Sequence, residues 1–206
     1  MKLIEFEKRS DASRYAAELL SRSLTDHLTQ RSSATLVLSG GTTPQQCLAT
    51  LATCELPWEN VKVTLTDERM VTVDHPESNE RMLREHLLVG HAAKASFVKL
   101  DATCDEDFAG VLIGMGADGH FASIFPDMDN LDQALSAQAP DTLTVNTTAS
   151  PHPRQTMSLA RLLRSQVLVL LAFGDEKRKI LDAPDAFPVS HLLAQQTRPA
   201  NVVWAR

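Results

Sequence analysis

The tightest constraint on this chain is a repeated pattern. Short, almost wholly apolar runs each end in a polar loop and are followed by a stretch of helical periodicity. Ala34 to Leu38 stops at Ser39-Gly40-Gly41, and Thr43 then offers an N-cap with Pro44 at the first helical position of a helix to about Thr53. Val61 to Thr66 ends at Asp67-Glu68-Arg69, with a helix from about Ser78 to Leu88. Gly110 to Ile113 runs into Gly114-Met115-Gly116-Ala117-Asp118-Gly119-His120, before a short helix near Phe121 to Phe125. Gln166 to Phe173 ends at Gly174, ahead of a helix through Lys177 and Leu181, and Asn201 to Trp204 reads as a last strand. An opening helix, capped by Ser10 and reaching about Gln30, repeats apolar residues at Tyr15, Ala16, Leu19, Leu20, Leu24 and Leu28.

Strands apolar on both faces, alternating with amphipathic helices, predict an α/β fold: a three-layer, Rossmann-like, mostly parallel sheet flanked by helices. In such sheets ligands bind beyond the carboxyl ends of the strands, and the polar clusters all fall at those ends. The length of 206 residues suits one domain spanning 1–206.

The net charge of -6 excludes a broad basic surface for nucleic acid or an anionic membrane. It leaves room for a small anion held by a few converging cations. No apolar run approaches a membrane span, and Met1 to Glu7 becomes charged too early for a secretory h-region. Cys47, Cys54 and Cys104 form no CxxC pair, which suits a reducing cytoplasm and thiols that merely fill space. His86 and His91 lie five apart and HExxH is absent, so no structural zinc, no required metal and no cofactor is expected.

Chemistry is concentrated in the loops. Gly40, Gly41 and Thr42 let the backbone approach a ligand beside a helix N-terminus, a setting suited to phosphate or sugar hydroxyls. The loop is neither a Walker loop nor a GxGxxG fingerprint. Asp67 can orient a base or a hydroxyl, and Arg69 can reach an anion or a developing oxyanion. Asn79 opens the next helix. In the Gly114 to His120 loop, Gly116 and its fellow glycines permit a tight path, and the His120 imidazole can take a proton from water and return it to a leaving oxygen. Arg154 stands on a Pro-flanked approach to an extended segment. Lys177 occupies the first turn of a helix, where a cation opposes the dipole, which points to service for a ligand.

In this order the loops resemble those of the 6-phosphogluconolactonase family. Ser39 to Pro44 is similar to its SGGxTP loop, and Asp67-Glu68-Arg69 with Ser78-Asn79 to its D-x-R followed by SN. Gly114 to Pro126 resembles GxGxDGHxASLFP with Ile124 in place of Leu. Arg154-Gln155-Thr156 resembles R-x-T, and Gly174 with Lys177 resembles G-x-x-K. The stretch between Leu88 and Gly110 is short for the family, Ala109 replaces a common Asp, and no acidic residue follows Trp204.

The resemblance implies the fold of sugar-phosphate isomerases and CoA transferases, and hydrolysis of 6-phospho-D-glucono-1,5-lactone in the oxidative pentose phosphate pathway. By that analogy His120 is the general base and Asp67 a polar catalytic-site residue. The substrate or its phosphate falls to Gly40, Gly41, Thr42, Arg69, Asn79, Gly116, Asp118, Arg154 and Lys177. The partner is a phosphorylated sugar lactone, with neither nucleic acid nor membrane involved. Two alternatives share the fold: a glucosamine-6-phosphate deaminase or isomerase, and a non-catalytic sugar-phosphate-binding protein. Deaminases place a Glu five residues after the His; here that position is Phe125.

Overall fold

The computed structural model describes residues 1–100 and 106–206; Cys104 and the middle of the short stretch before Gly110 lie outside the described residues. In chain order the elements are β1 (Lys2–Phe6), α1 (Arg9–Gln30), β2 (Ala34–Leu38), α2 (Gln45–Ala52), β3 (Val61–Leu65), β4 (Asp67–Arg69), α3 (Asn79–His86) and β5 (Ser96–Phe97). There follow β6 (Phe108–Gly114), α4 (Leu131–Leu135), β7 (Thr142–Val145), β8 (Arg154–Met157), α5 (Leu159–Leu162), β9 (Ser165–Phe173), α6 (Asp175–Asp182), α7 (Val189–Ala194) and β10 (Asn201–Ala205).

Seven of the described strands form one sheet in the order β1-β10-β9-β6-β2-β3-β5, every neighbouring pair parallel. The wholly apolar runs are its centre because both faces are covered. On one face Leu36, Leu38, Leu112, Val169 and Val203 pack beneath Ala16, Leu20 and Leu24 of α1 and Leu48 and Leu51 of α2. On the other face Val37, Val111, Ile113, Leu168 and Leu170 meet Leu162 of α5, Leu181 of α6 and Leu192 of α7. Alternate side chains of one strand thus enter different cores, the period-2 geometry of a strand buried on both sides. The predicted three-layer parallel architecture is the one observed.

The site is set by the topology. After β2 the sheet grows towards β3; after β6 its next strand, β9, lies on the opposite side. The loops leaving β2 and β6 therefore diverge, opening a crevice at the switch point. Ser39 spans it: its Oγ accepts a hydrogen bond from Gly114 N at 2.9 Å, and its own N–H donates to Leu112 O. Ser39→Ala leaves the Gly114 N–H without that acceptor, and urea unfolding should register a loss of about 1–3 kcal/mol. An unchanged midpoint and slope would show that the crevice does not depend on this bond.

Several boundaries differ from the sequence expectations. Helix α1 begins at Arg9 with Lys8 at its cap, so Ser10 lies inside the helix. Pro44, not Thr43, occupies the cap of α2, in αR conformation and without a side-chain bond. Ser78 does cap α3, accepting from Arg81 N. No helix forms over 121–125; Phe121 bridges to Met115 and Ile124 in a tight irregular turn. Ala122 there takes φ 50°, a left-handed conformation that disfavours continuation as a helix. A small antiparallel sheet, β4-β8-β7, was not foreseen. Its strands are three or four residues long, too short for periodicity to reveal. Among the described residues Cys47 and Cys54 are free thiols, and burial, aided by Cys54, pushes the Cys47 thiol up to about 12.

Candidate active site

At the carboxyl ends of β2 and β6 the loops line an open cleft of about 230 Å³. Gly40, Gly41 and Thr42 come to it from the β2 loop, Asp67 and Arg69 from β4, and Asn79 from the start of α3. Gly116 and His120 arrive from the β6 loop, Arg154 from β8 and Lys177 from α6. Asp118 alone of the expected site residues does not line it. Its carboxylate instead lies 2.5 Å from His120 Nδ1.

That pair defines the imidazole's tautomer. With Nδ1–H donating to Asp118 Oδ1, the lone pair is left on Nε2, the nitrogen able to accept a proton. The ring is further held by Phe125, whose centroid is 4.1 Å away. Phe125 is buried, and the Arg154 guanidinium lies over the same ring at 5.2 Å. One apolar side chain therefore supports both a base and a cation. Gly116 is required by close approach: a Cβ there would lie 2.3 Å from His120 Cε1 and Nδ1. Gly40 is pressed against Asn79 in the same way, with a Cβ falling 1.8 Å from Asn79 Oδ1.

The small sheet explains how two distant motifs meet. β4 and β8 pair antiparallel in the register Asp67↔Thr156, Glu68↔Gln155, Arg69↔Arg154. The two arginines are thus cross-strand neighbours, a like-charge pairing that is unfavourable without an anion between or beside them. Burial first, and the Arg69 charge second, lower the Arg154 pKa from its ordinary value, while Asp67 opposes the shift. Burial, with Arg9 adding, likewise lowers Lys177. Desolvated cations of this kind gain most from a charged ligand.

Asp67 is buried and saturated by neighbours. Oδ1 accepts from Thr66 Oγ1 at 2.8 Å, Oδ2 accepts from Ser123 Oγ at 2.6 Å, and Arg154 Nη1 stands 3.8 Å from Oδ2. Asn79 Nδ2 donates to the Asp67 carbonyl. Sequence reasoning missed Glu68, whose carboxylate accepts from Asn79 N, Glu80 N and Ser78 Oγ and so docks β4 on the positive end of α3. It also missed Ser123, the link between Asp67 and Arg154. Both stand inside the quoted motifs, Glu68 in Asp67-Glu68-Arg69 and Ser123 in Gly114 to Pro126, but their roles had no local signal because each acts through tertiary partners.

An imidazole–carboxylate pair beside three cations, at the switch point of a parallel sheet, is the layout of a site for a small anionic substrate. Residues 7–205 match the model of the glucosamine-6-phosphate isomerases/6-phosphogluconolactonase family. A 6-phosphogluconolactonase of Caulobacter vibrioides is 37% identical, with 100% of this chain and 97% of that protein covered. The crystal structure of a 6-phosphogluconolactonase from Shewanella baltica superposes with a TM-score of 0.92 at 32% identity, over 100% of this chain and 98% of the other. A monomeric glucosamine-6-phosphate deaminase shares the fold, with a TM-score of 0.76 at 20% identity over 100% and 98% of the two chains. The chain belongs to the glucosamine-6-phosphate isomerase/6-phosphogluconolactonase family.

Proposed function

We infer that the chain hydrolyses 6-phospho-D-glucono-1,5-lactone to 6-phospho-D-gluconate, the lactonase step of the oxidative pentose phosphate pathway. The observation that carries this reading is the His120–Asp118 pair in a cleft shared with Arg69, Arg154 and Lys177. The named relatives support it. His120 Nε2 takes a proton from water as the oxygen attacks the lactone carbonyl. Asp118 stabilises the imidazolium that forms, and a cation or a loop N–H meets the tetrahedral oxyanion. Collapse breaks the bond from the carbonyl carbon to the ring oxygen, which receives the proton back from Nε2. Arg69, Arg154 and Lys177 divide the phosphate and the lactone oxygens between them, while Gly40, Gly41 and Thr42 leave space for the sugar. Asp67 holds Ser123 and Arg154 in place.

Phe125 favours hydrolysis over ring-opening deamination. Where the resembling deaminases carry a Glu, this site has a buried ring packed on His120, so no second carboxylate can serve a ring oxygen there. The match over residues 7–205 supports reading the chain as one domain, and the free thiols suit the cytoplasm. Among the described residues, no helix is long and apolar enough to cross a membrane.

The test is direct. Purified protein should accelerate hydrolysis of freshly generated lactone above the spontaneous rate with no metal added, and leave glucosamine-6-phosphate untouched in a parallel coupled assay. A folded protein whose rate equals the blank would overturn the assignment. Within the same assay, Arg154→Ala should raise KM by about ten- to hundredfold, the size of a lost charge-assisted hydrogen bond. An unaltered KM would remove Arg154 from substrate binding.

A further inference from the structure

Beside the cleft, the loops that follow β4 and precede β8 bring together a second set of donor groups. A ring nitrogen of His75, a carboxylate oxygen of Glu77 and a ring nitrogen of His152 all lie within 4.8 Å of one another. Glu77 Oε2 and His152 Nε2 are 3.1 Å apart. Two ligands of a tetrahedral zinc ion with bonds near 2.0–2.1 Å are separated by roughly 3.3 Å, so two of the three donors already stand close to that spacing. His75 meets His152 edge-on at 5.1 Å between ring centroids, which brings the third donor to the same point. The backbone is stiffened where it matters: Pro76 follows His75, and Pro151 and Pro153 flank His152.

From this geometry we propose that His75, Glu77 and His152 form a binding site for a divalent transition cation of the zinc class, solvent completing the coordination. Two imidazoles and one carboxylate suit zinc and its neighbours, whereas magnesium and calcium require mostly oxygen. The cation replaces the direct contact between Glu77 and His152 and cross-links the two loops. Each loop is tied to an arginine of the cleft. Arg69 Nη1 donates to the Glu77 carbonyl, and Arg154 Nε donates to Ser150 Oγ, which in turn donates to the carbonyl of His152. Occupancy therefore fixes the frame that carries both arginines without entering the reaction itself. The site stands apart from the lactonase reading, because zinc binding is measured without substrate.

The experiment is a zinc titration of the full chain in competition with a chromophoric chelator, with circular dichroism on every variant. Wild type should bind one equivalent of zinc beyond the background left in the His75→Ala/His152→Ala double variant. Each single variant should weaken that equivalent at least tenfold, while His86→Ala and His91→Ala leave it unchanged and a large excess of magnesium fails to displace it. Equal zinc binding by wild type and a folded double variant, or displacement by magnesium, would overturn the proposal. The ring resonances of His75 and His152 in the wild-type protein supply a readout independent of mutation. They should shift on addition of one equivalent of zinc, and their failure to move would equally exclude the site.

Discussion

Replacing His120 by Ala is expected to lower kcat by ~10²–10⁴-fold while KM changes by no more than a few-fold, the range for loss of a positioned general base. Nothing else in the cleft can substitute. Asp67, though it lines the cleft, already accepts hydrogen bonds from Thr66 and Ser123 and faces the Arg154 cation, partners that hold it as a carboxylate anchor and disfavour its taking a proton from water. The remaining charged groups of the cleft, Arg69, Arg154 and Lys177, are cations. Affinity for 6-phosphogluconate should persist in the variant, since those cations are untouched. Turnover within threefold of wild type in a folded His120→Ala protein would take the base away from this residue. Asp118→Asn separates orientation from chemistry: the ring keeps its neighbour but loses the carboxylate that fixes Nδ1–H and steadies the imidazolium, so kcat should fall with little effect on KM.

Gly116→Ala is expected to reduce kcat by about 100-fold, although no atom of the base is removed. The added methyl would sit 2.3 Å from two atoms of the His120 ring and 2.6 Å from Asp118 Oδ1. Neither partner can yield in place. Phe125 backs the imidazole, and the loop is pinned by hydrogen bonds from Gly116 N to His120 O and from Gly119 N to Gly116 O. The ring must turn away, and a displacement near 1 Å is enough for a loss of that order. Product affinity and the unfolding midpoint are the controls. Wild-type kcat in the Ala variant would mean that the loop is pliant and the ring's position is not what limits the reaction.

The two expected results rest on information of different kinds. His120 could be singled out from the sequence, because an imidazole that follows a Gly-rich, Asp-bearing turn at the carboxyl end of a buried strand has few structural uses. Gly116 could be named as part of the same loop, but its reason could not. Only the folded loop shows that the vacant Cβ position is filled by the imidazole it helps to aim. Asp118 shows the reverse. It could be named from the sequence only as a candidate site residue, while its place behind the ring, instead of on the cleft wall, depended on the folded loop.

The parallel sheet and its two covered faces were written in the chain, because a strand buried on both sides must be apolar at every position and such runs stand out from amphipathic helices. So were the loops at its carboxyl ends, where polar residues and glycines interrupt those runs. What only the tertiary structure decided is how motifs far apart in sequence meet. The pairing of Asp67-Glu68-Arg69 against Arg154-Gln155-Thr156 sets two arginines side by side, yet strands of three and four residues have no periodicity to betray them. His75 and His152 come together for the same reason, through loops at one end of that small sheet. Local sequence encodes the burial of each segment; cross-strand register, which sets these distances, belongs to the packed whole.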